Sequence, residues 1–152
     1  MPAPAHPADQ PHRAIARYIN YQHPLIIFSQ VIPWHEIQAK LKDIYSENKD
    51  QNHAIRKMAG LVLIQHTSSF NTEDAKLLNW WREDIYWQYF CGEIFHECQL
   101  PCTLEEFIQF KEQLGKERID YLRSFAKYLP KEKKTRKGLI KNLLAKLFPK
   151  FF

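Results

Sequence analysis

No apolar run in this chain approaches membrane-spanning length. The longest, "PLIIFSQVI" and "GLVLI", are about half of the roughly 20 residues that a transmembrane helix needs, or less, which excludes a spanning helix of that kind. Cysteine is scarce too. The three thiols Cys91, Cys98 and Cys102 are an odd number in a chain without a secretory hydrophobic segment, so reduced thiols in a cytoplasmic protein are expected rather than disulfides. No stretch reads convincingly as a strand and no segment repeats, which excludes β and solenoid architectures. Most of the chain also lacks an excess of either charge: Met1 to Pro130 hold 14 Lys and Arg against 16 Asp and Glu, a net −2. Such a body has no strong sequence-independent attraction for phosphate or anionic lipid.

What is present is apolar and aromatic. With 45% hydrophobic and 14% aromatic residues in 152, the composition is that of one globular domain with a single core and no room for a second full catalytic domain. The proline-rich "MPAPAHPADQPH" begins an unstructured lead, set at 1–19; a helical domain follows over 20–129, then a tail over 130–152. Ile37, Leu41 and Ile44 form one helical stripe, ended by a loop at "SENKDQNH". Ile55, Met58, Ala59 and Val62 form the next, and Leu61, Leu63 and Ile64 make that helix apolar nearly all round, as a central helix is. After "TSSFN" another helix begins, with Asn71 or Thr72 as cap and Glu73 and Asp74 at the positive end of its dipole. "TLEE" at 103–106 is a capping box. It opens a helix through Leu104, Phe107, Ile108, Lys111 and Leu114, ended or bent at Gly115, and Ile119, Leu122, Phe125 and Leu129 continue the pattern to Pro130. The expectation is an all-α fold, a compact bundle of about five or six short helices with a helix-turn-helix-like pair.

The string "DIYWQYFCGE" at 84–93 poses a separate question. A helix there has Ile85 and Tyr89 on one side and Tyr86, Trp87 and Phe90 over much of the rest, with Trp80 and Trp81 just before. Each fully buried ring is worth about 2 to 3 kcal/mol, so such a helix is expected to be packed. A platform for stacking nucleotide bases needs basic residues between open rings, and only Arg82 is near.

"HPLIIFSQVIPW" (23–34), "IRKMAGLVLIQH" (55–66), "YWQYFCGE" (86–93) and "LPCTLEEFIQFKEQLG" (100–115) occur in this order. Together they resemble the InsH-type N-terminal domain of bacterial insertion-sequence transposases of the DDE class, over about residues 20 to 120. The resemblance implies a helical module that recognises the terminal inverted repeats of a transposon and assembles on them, as a homo-oligomer or with intact transposase. In that family a ribonuclease-H-like domain follows, whose acidic residues bind divalent metals for strand cleavage and joining. The sequence after Gly115 offers a helix and a lysine-rich tail without alternating strands. No catalytic residue, metal or cofactor is therefore carried over, and the chain alone is not expected to be an enzyme.

Read residue by residue, the helices at 55–68 and 72–83 are either a DNA-binding helix-turn-helix or an antiparallel pair serving only the core. The second presents Lys76, Asn79 and Arg82 as groove contacts, among Glu73, Asp74 and Glu83, and Lys111 is a further candidate on the body. Cys91, His96, Cys98 and Cys102 contain zinc-binding atoms, but their spacing lacks the C-x2-C pair that turns two thiolates to one ion, so packed or surface roles are expected. The tail carries 8 Lys and Arg against Glu132 alone, a net +7. Lys131, Lys133, Lys134, Arg136 and Lys137 form a cluster suited to phosphate. Leu139, Ile140, Leu143, Leu144 and Leu147 then share one face of a basic amphipathic helix, edged by Lys137, Lys141 and Lys146. That helix has three possible partners: protein through its leucines, DNA through its lysines, or an anionic membrane.

Overall fold

The computed structural model describes residues 14–45, 51–67, 72–130 and 145. The first helix, α1 (Pro24–Val31), starts where His23 turns its Nδ1 to accept the Leu25 N–H at 3.1 Å and Pro24 supplies a preset φ with no amide to satisfy. No polar stripe in "PLIIFSQV" marks it as helical, and the sequence periodicity does not announce it. α2 (Trp34–Leu41) buries Ile37 and Leu41, as their spacing predicts, and runs into a 3-10 turn at Lys42–Ile44.

α3 (Gln51–Thr67) begins inside the polar stretch expected as loop. It buries Ile55 and every residue from Met58 to Ile64, so the all-round apolar helix is the central one. α4 (Asp74–Glu83) takes Glu73 as its N-cap rather than Asn71 or Thr72; the Thr72 carbonyl instead accepts from Gln65 Nε2 at 3.1 Å. Asn71 lies outside the described residues. The helices expected to pair with each other, α3 and α4, pack chiefly on other neighbours: α3 on α2 and α6, α4 on α5 and α6.

α5 (Ile85–Phe90) is the aromatic string. Asp84 caps it, accepting the N–H groups of Tyr86 at 2.8 Å and Trp87 at 3.2 Å. It ends through Gly92, whose N–H bonds the Tyr89 carbonyl while the Glu93 N–H reaches back to Gln88. Two apolar masses flank this helix. Phe90 and Cys91 enter the main core, where Phe90 stacks on Phe28 at 5.3 Å and meets Trp34 edge-on. Ile85, Tyr86 and Tyr89 pack on a second cluster of Ile15, Ile19 and Ile26. Rings on every side are thus accounted for by apolar partners on both.

The same contacts bring the chain into the fold from Ala14: a 3-10 turn at Ile15–Arg17 seats Ile15, and Ala14 forms an isolated antiparallel bridge with Phe95. Residues 14–19, expected within the lead, are therefore part of the fold, while 1–13 lie outside the described residues.

α6 (Leu104–Arg123) opens on the expected capping box, Thr103 Oγ1 accepting the Glu106 N–H at 3.1 Å. Its buried face is Phe107, Phe110 and Leu114; Leu104 and Ile108, expected inside, are 41% and 40% exposed. Gly115 breaks the helix at φ 71°, ψ 170°. The carbonyls freed at this break are taken by Arg118, which donates to Gln113 O at 2.6 Å and Leu114 O at 2.9 Å and grips both Asp43 oxygens at 2.8 and 3.0 Å. Leu122 then returns to the core, and a 3-10 turn at Ser124–Tyr128 follows. Among the described residues the fold is all-helical, with six α-helices and no strand beyond the single bridge. The tail lies outside them except for Pro130 and for Ala145, which is helical.

One polar residue joins these pieces. Gln88 is fully buried in α5; its Nε2 donates to the carbonyls of Trp81 (3.1 Å), Arg82 (3.1 Å) and Glu97 (2.9 Å), and its Oε1 accepts the Glu97 N–H at 2.8 Å. It closes the open end of α4 and fixes the segment after α5. Gln88→Leu strands these buried groups and is expected to cost about 3 kcal/mol or more in urea unfolding; a loss below about 1 kcal/mol would show that water replaces the amide. Gly115→Ala tests the backbone alone, because a Cβ there meets nothing within 4 Å. It should cost about 1 to 3 kcal/mol from φ/ψ strain, and an unchanged melting temperature would refute that origin.

Candidate nucleic-acid interface

The polar face of α4 gathers three of the sequence-predicted residues. Lys76 and Asn79 are exposed and Arg82 is half-buried. Asn79 Nδ2 donates back to the Ala75 carbonyl at 3.0 Å, and Arg82 Nη2 donates to Asn79 Oδ1 at 3.3 Å. Both ends of the Asn79 amide are therefore engaged within the helix, while Glu73 and Glu83 stand exposed at its two ends.

The fourth, Lys111, is held at a junction of three helices. Its Nζ lies 2.6 Å from Asp74 Oδ1 and 3.4 Å from Gln65 Oε1, and Gln65 Nε2 donates to the same Asp74 oxygen at 2.6 Å. Burial alone would raise the Asp74 pKa, but the hydrogen bonds from Lys111 and Gln65 outweigh it and hold the carboxyl below its ordinary range. Much of the Lys111 charge is thus committed to tying α6 to α4 and α3. Lys131, Lys133, Lys134, Arg136, Lys137, Lys141 and Lys146 all lie outside the described residues.

Beside the junction, α3, α4 and α6 enclose a groove of about 410 Å³, whose lining includes His66, Ile108, Lys111, Ile119 and Arg123. Sequence reasoning missed His66 and Arg123. The available signal was their position, at the last turn of α3 and at the end of α6. Burial first, then the positive charges of Arg123 and Lys111, push the His66 pKa down, with Asp120 opposing.

The four candidate zinc ligands are spread apart in character. Cys91 is buried, its pKa pushed up to about 12 by burial. Cys98 is exposed with its sulfur 3.9 Å from His96 Nδ1, and Cys102 is half-buried. Among the described residues no group of three or more His, Cys, Asp or Glu side chains is placed to hold a metal. Cys91 serves packing: it lies against Gly60 of α3 so closely that a Cβ on Gly60 would come within 2.8 Å of its sulfur. Glu93 continues the seam, paired with Lys57 at 3.0 Å and His53 at 3.4 Å. The seam thus joins "IRKMAGL" to "YWQYFCGE", two of the strings that carry the family resemblance.

The family described as transposase domain (DUF772) matches residues 13–113. The chain belongs to this transposase-domain family. The matched region starts where the described fold starts and takes in α1 to α5 with most of α6 before Gly115; it identifies the transposase domain and no catalytic one. A Rhizobium meliloti protein, "Uncharacterized protein ORF8 in nfe locus", is 26% identical over 104 residues, 68% of this chain and 49% of the relative. The chain thus spans about half the length of the curated relative it matches. No solved structure matches this chain. Among its described residues no helix is long and apolar enough to cross a membrane.

The junction makes a testable claim about stability. Lys111→Met leaves Asp74 with Gln65 alone and should cost about 1.5 kcal/mol. Because the Asp74 pKa is lowered on folding, its contribution is present above the ordinary carboxylate pKa and is lost as pH falls through the depressed one. Lys111→Met should therefore flatten the acid limb of a melting-temperature profile between about pH 2 and 5; an unchanged limb would exclude the pair as its source.

Proposed function

We propose that this chain is a DNA-recognition and assembly module of a transposase, acting on the terminal inverted repeats of its element, alone as an oligomer or together with intact transposase. The family match over residues 13–113 carries the reading. The charge distribution supports it: a body of net −2 continues into a segment of net +7. In this reading Lys131, Lys133, Lys134, Arg136, Lys137, Lys141 and Lys146 supply phosphate contacts, and Lys76, Asn79 and Arg82 approach a groove. Lys111 adds to the local field while holding its junction. Bound at transposon ends, the module competes there with active transposase in a cytoplasm.

A second reading, a helical protein-interaction module without specific DNA binding, draws on the engaged amide of Asn79 and the acids at both ends of α4. Salt separates the two. For DNA binding, log K against the flanking inverted repeat should fall with log salt by about 0.9 per neutralised phosphate, and replacing these seven of the tail's eight cations by Gln should remove most of that slope. Binding that is insensitive to salt would overturn the DNA reading, and unchanged transposition when the chain is mixed with active transposase would overturn competition.

A further inference from the structure

The groove between α3, α4 and α6 combines two chemistries. Ile108 of the first part of α6 and Ile119 of the second line it, and Ile108 is 40% exposed. Around these lie His66, Lys111 and Arg123, with Asp74 and Glu112 as acids. The Asp74 oxygen nearest Lys111 already takes both Lys111 and Gln65, so that pair is internally compensated. Arg123 is exposed and has no carboxylate within ion-pair distance among the described residues. A nucleic-acid backbone alternates an anionic phosphate with an apolar sugar face, and a cationic rim beside an apolar floor fits that alternation.

We propose that this groove seats a phosphate oxyanion of a nucleic-acid backbone, with Arg123 as the anchoring cation, His66 as a second donor, and Ile108 and Ile119 against the adjoining sugar. The inference rests on the DNA-binding reading and gives it a site on the body. Lys116, seven residues before Arg123, falls on the same side of the second part of α6 and extends the cationic edge. Glu112 opposes the phosphate, which keeps the site weak in isolation and makes it additive to the tail.

Protonation follows from the groups facing His66. Arg123, Lys111 and Asp120 face it from α6, Glu112 lines the same groove, and Asp74 stands across it on α4. In the free protein burial and the two cations favour the neutral ring. A bound phosphate favours the charged ring, so binding takes up a proton and affinity rises as pH falls.

The test uses the full chain and two probes, a duplex carrying the flanking inverted repeat and inorganic phosphate, read by the NMR titration of the His66 imidazole and by binding affinity at pH 6 and 8. The expected result is that the His66 titration moves to higher pH on adding duplex, with affinity up to about tenfold higher at pH 6 than at pH 8. Arg123→Gln should lose about tenfold or more in affinity, Glu112→Gln should gain, and His66→Gln should abolish this pH dependence, all with unchanged thermal melts. If duplex binds but His66 does not respond and Arg123→Gln binds as tightly, this site is wrong while the DNA-binding reading stands. If duplex fails to bind while millimolar inorganic phosphate moves the His66 titration through Arg123, the oxyanion site stands without the DNA reading. No response to either probe overturns both.

Discussion

The fold depends on a buried amide. Gln88 sits at zero exposure in the middle of an aromatic helix, where a polar group is tolerated only if it is fully bonded. Its bonds reach the last carbonyls of α4 and both backbone groups of Glu97, so the helix before, the helix it belongs to and the segment after are fixed relative to one another by one side chain. An apolar residue of the same size would fill the space and leave these groups without partners. The direction in which α4 leaves the bundle, and with it the face bearing Lys76, Asn79 and Arg82, follows from that constraint.

A second consequence concerns α5 itself. A helix of six residues has little intrinsic stability; this one is held by Asp84 at its start, the paired bonds through Gly92 at its end, and apolar mass on two sides. The smaller mass comes from Ile15 and Ile19, residues far from it in sequence. The N-terminal segment is therefore a wall of the domain, which agrees with a family match that begins at residue 13. Tyr86 shows how tightly the wall is joined: its ring stacks on His23 at 3.8 Å and its hydroxyl accepts the Asn20 N–H at 2.8 Å.

Features governed by local rules were readable from the sequence. The all-round apolar run of α3 marked the centre, "TLEE" marked a helix start, and Gly115 marked a break. What escaped depends on partners distant in the chain. α1 packs on apolar clusters on two sides, and on its open side Ile27 and Val31 are apolar as well, 38% and 50% exposed, so periodicity has nothing to detect there. The pattern read for α6 includes Leu104 and Ile108 and omits Phe110, whereas Phe110 is the buried one, since a helix contacting both α3 and α4 buries a face that its own sequence does not centre. Gln88, which no pattern in the sequence singles out, is the best-bonded member of the aromatic string. His66 and Arg123 stand 57 positions apart, and the packing of α6 on α3 puts them at one groove.

Charge and shape divide between the parts of this chain. A body of net −2 exerts little long-range pull on a polyanion, and at physiological salt fields from exposed charges fade within about 8 Å. The segment of net +7 has the opposite character: strong attraction to phosphate that does not depend on base sequence. Under the DNA-binding reading, neither part suffices. The cationic segment raises the local concentration of duplex at the body, and the body contributes the rigid elements, α4 fixed by Gln88 and α6 fixed by Arg118 and Lys111, on which contacts of defined geometry depend. Weak, partly compensated cations on the body then serve discrimination better than strong ones: a site that bound phosphate tightly by itself would hold any duplex in any register, whereas one that adds a modest increment responds only to DNA already aligned along the domain.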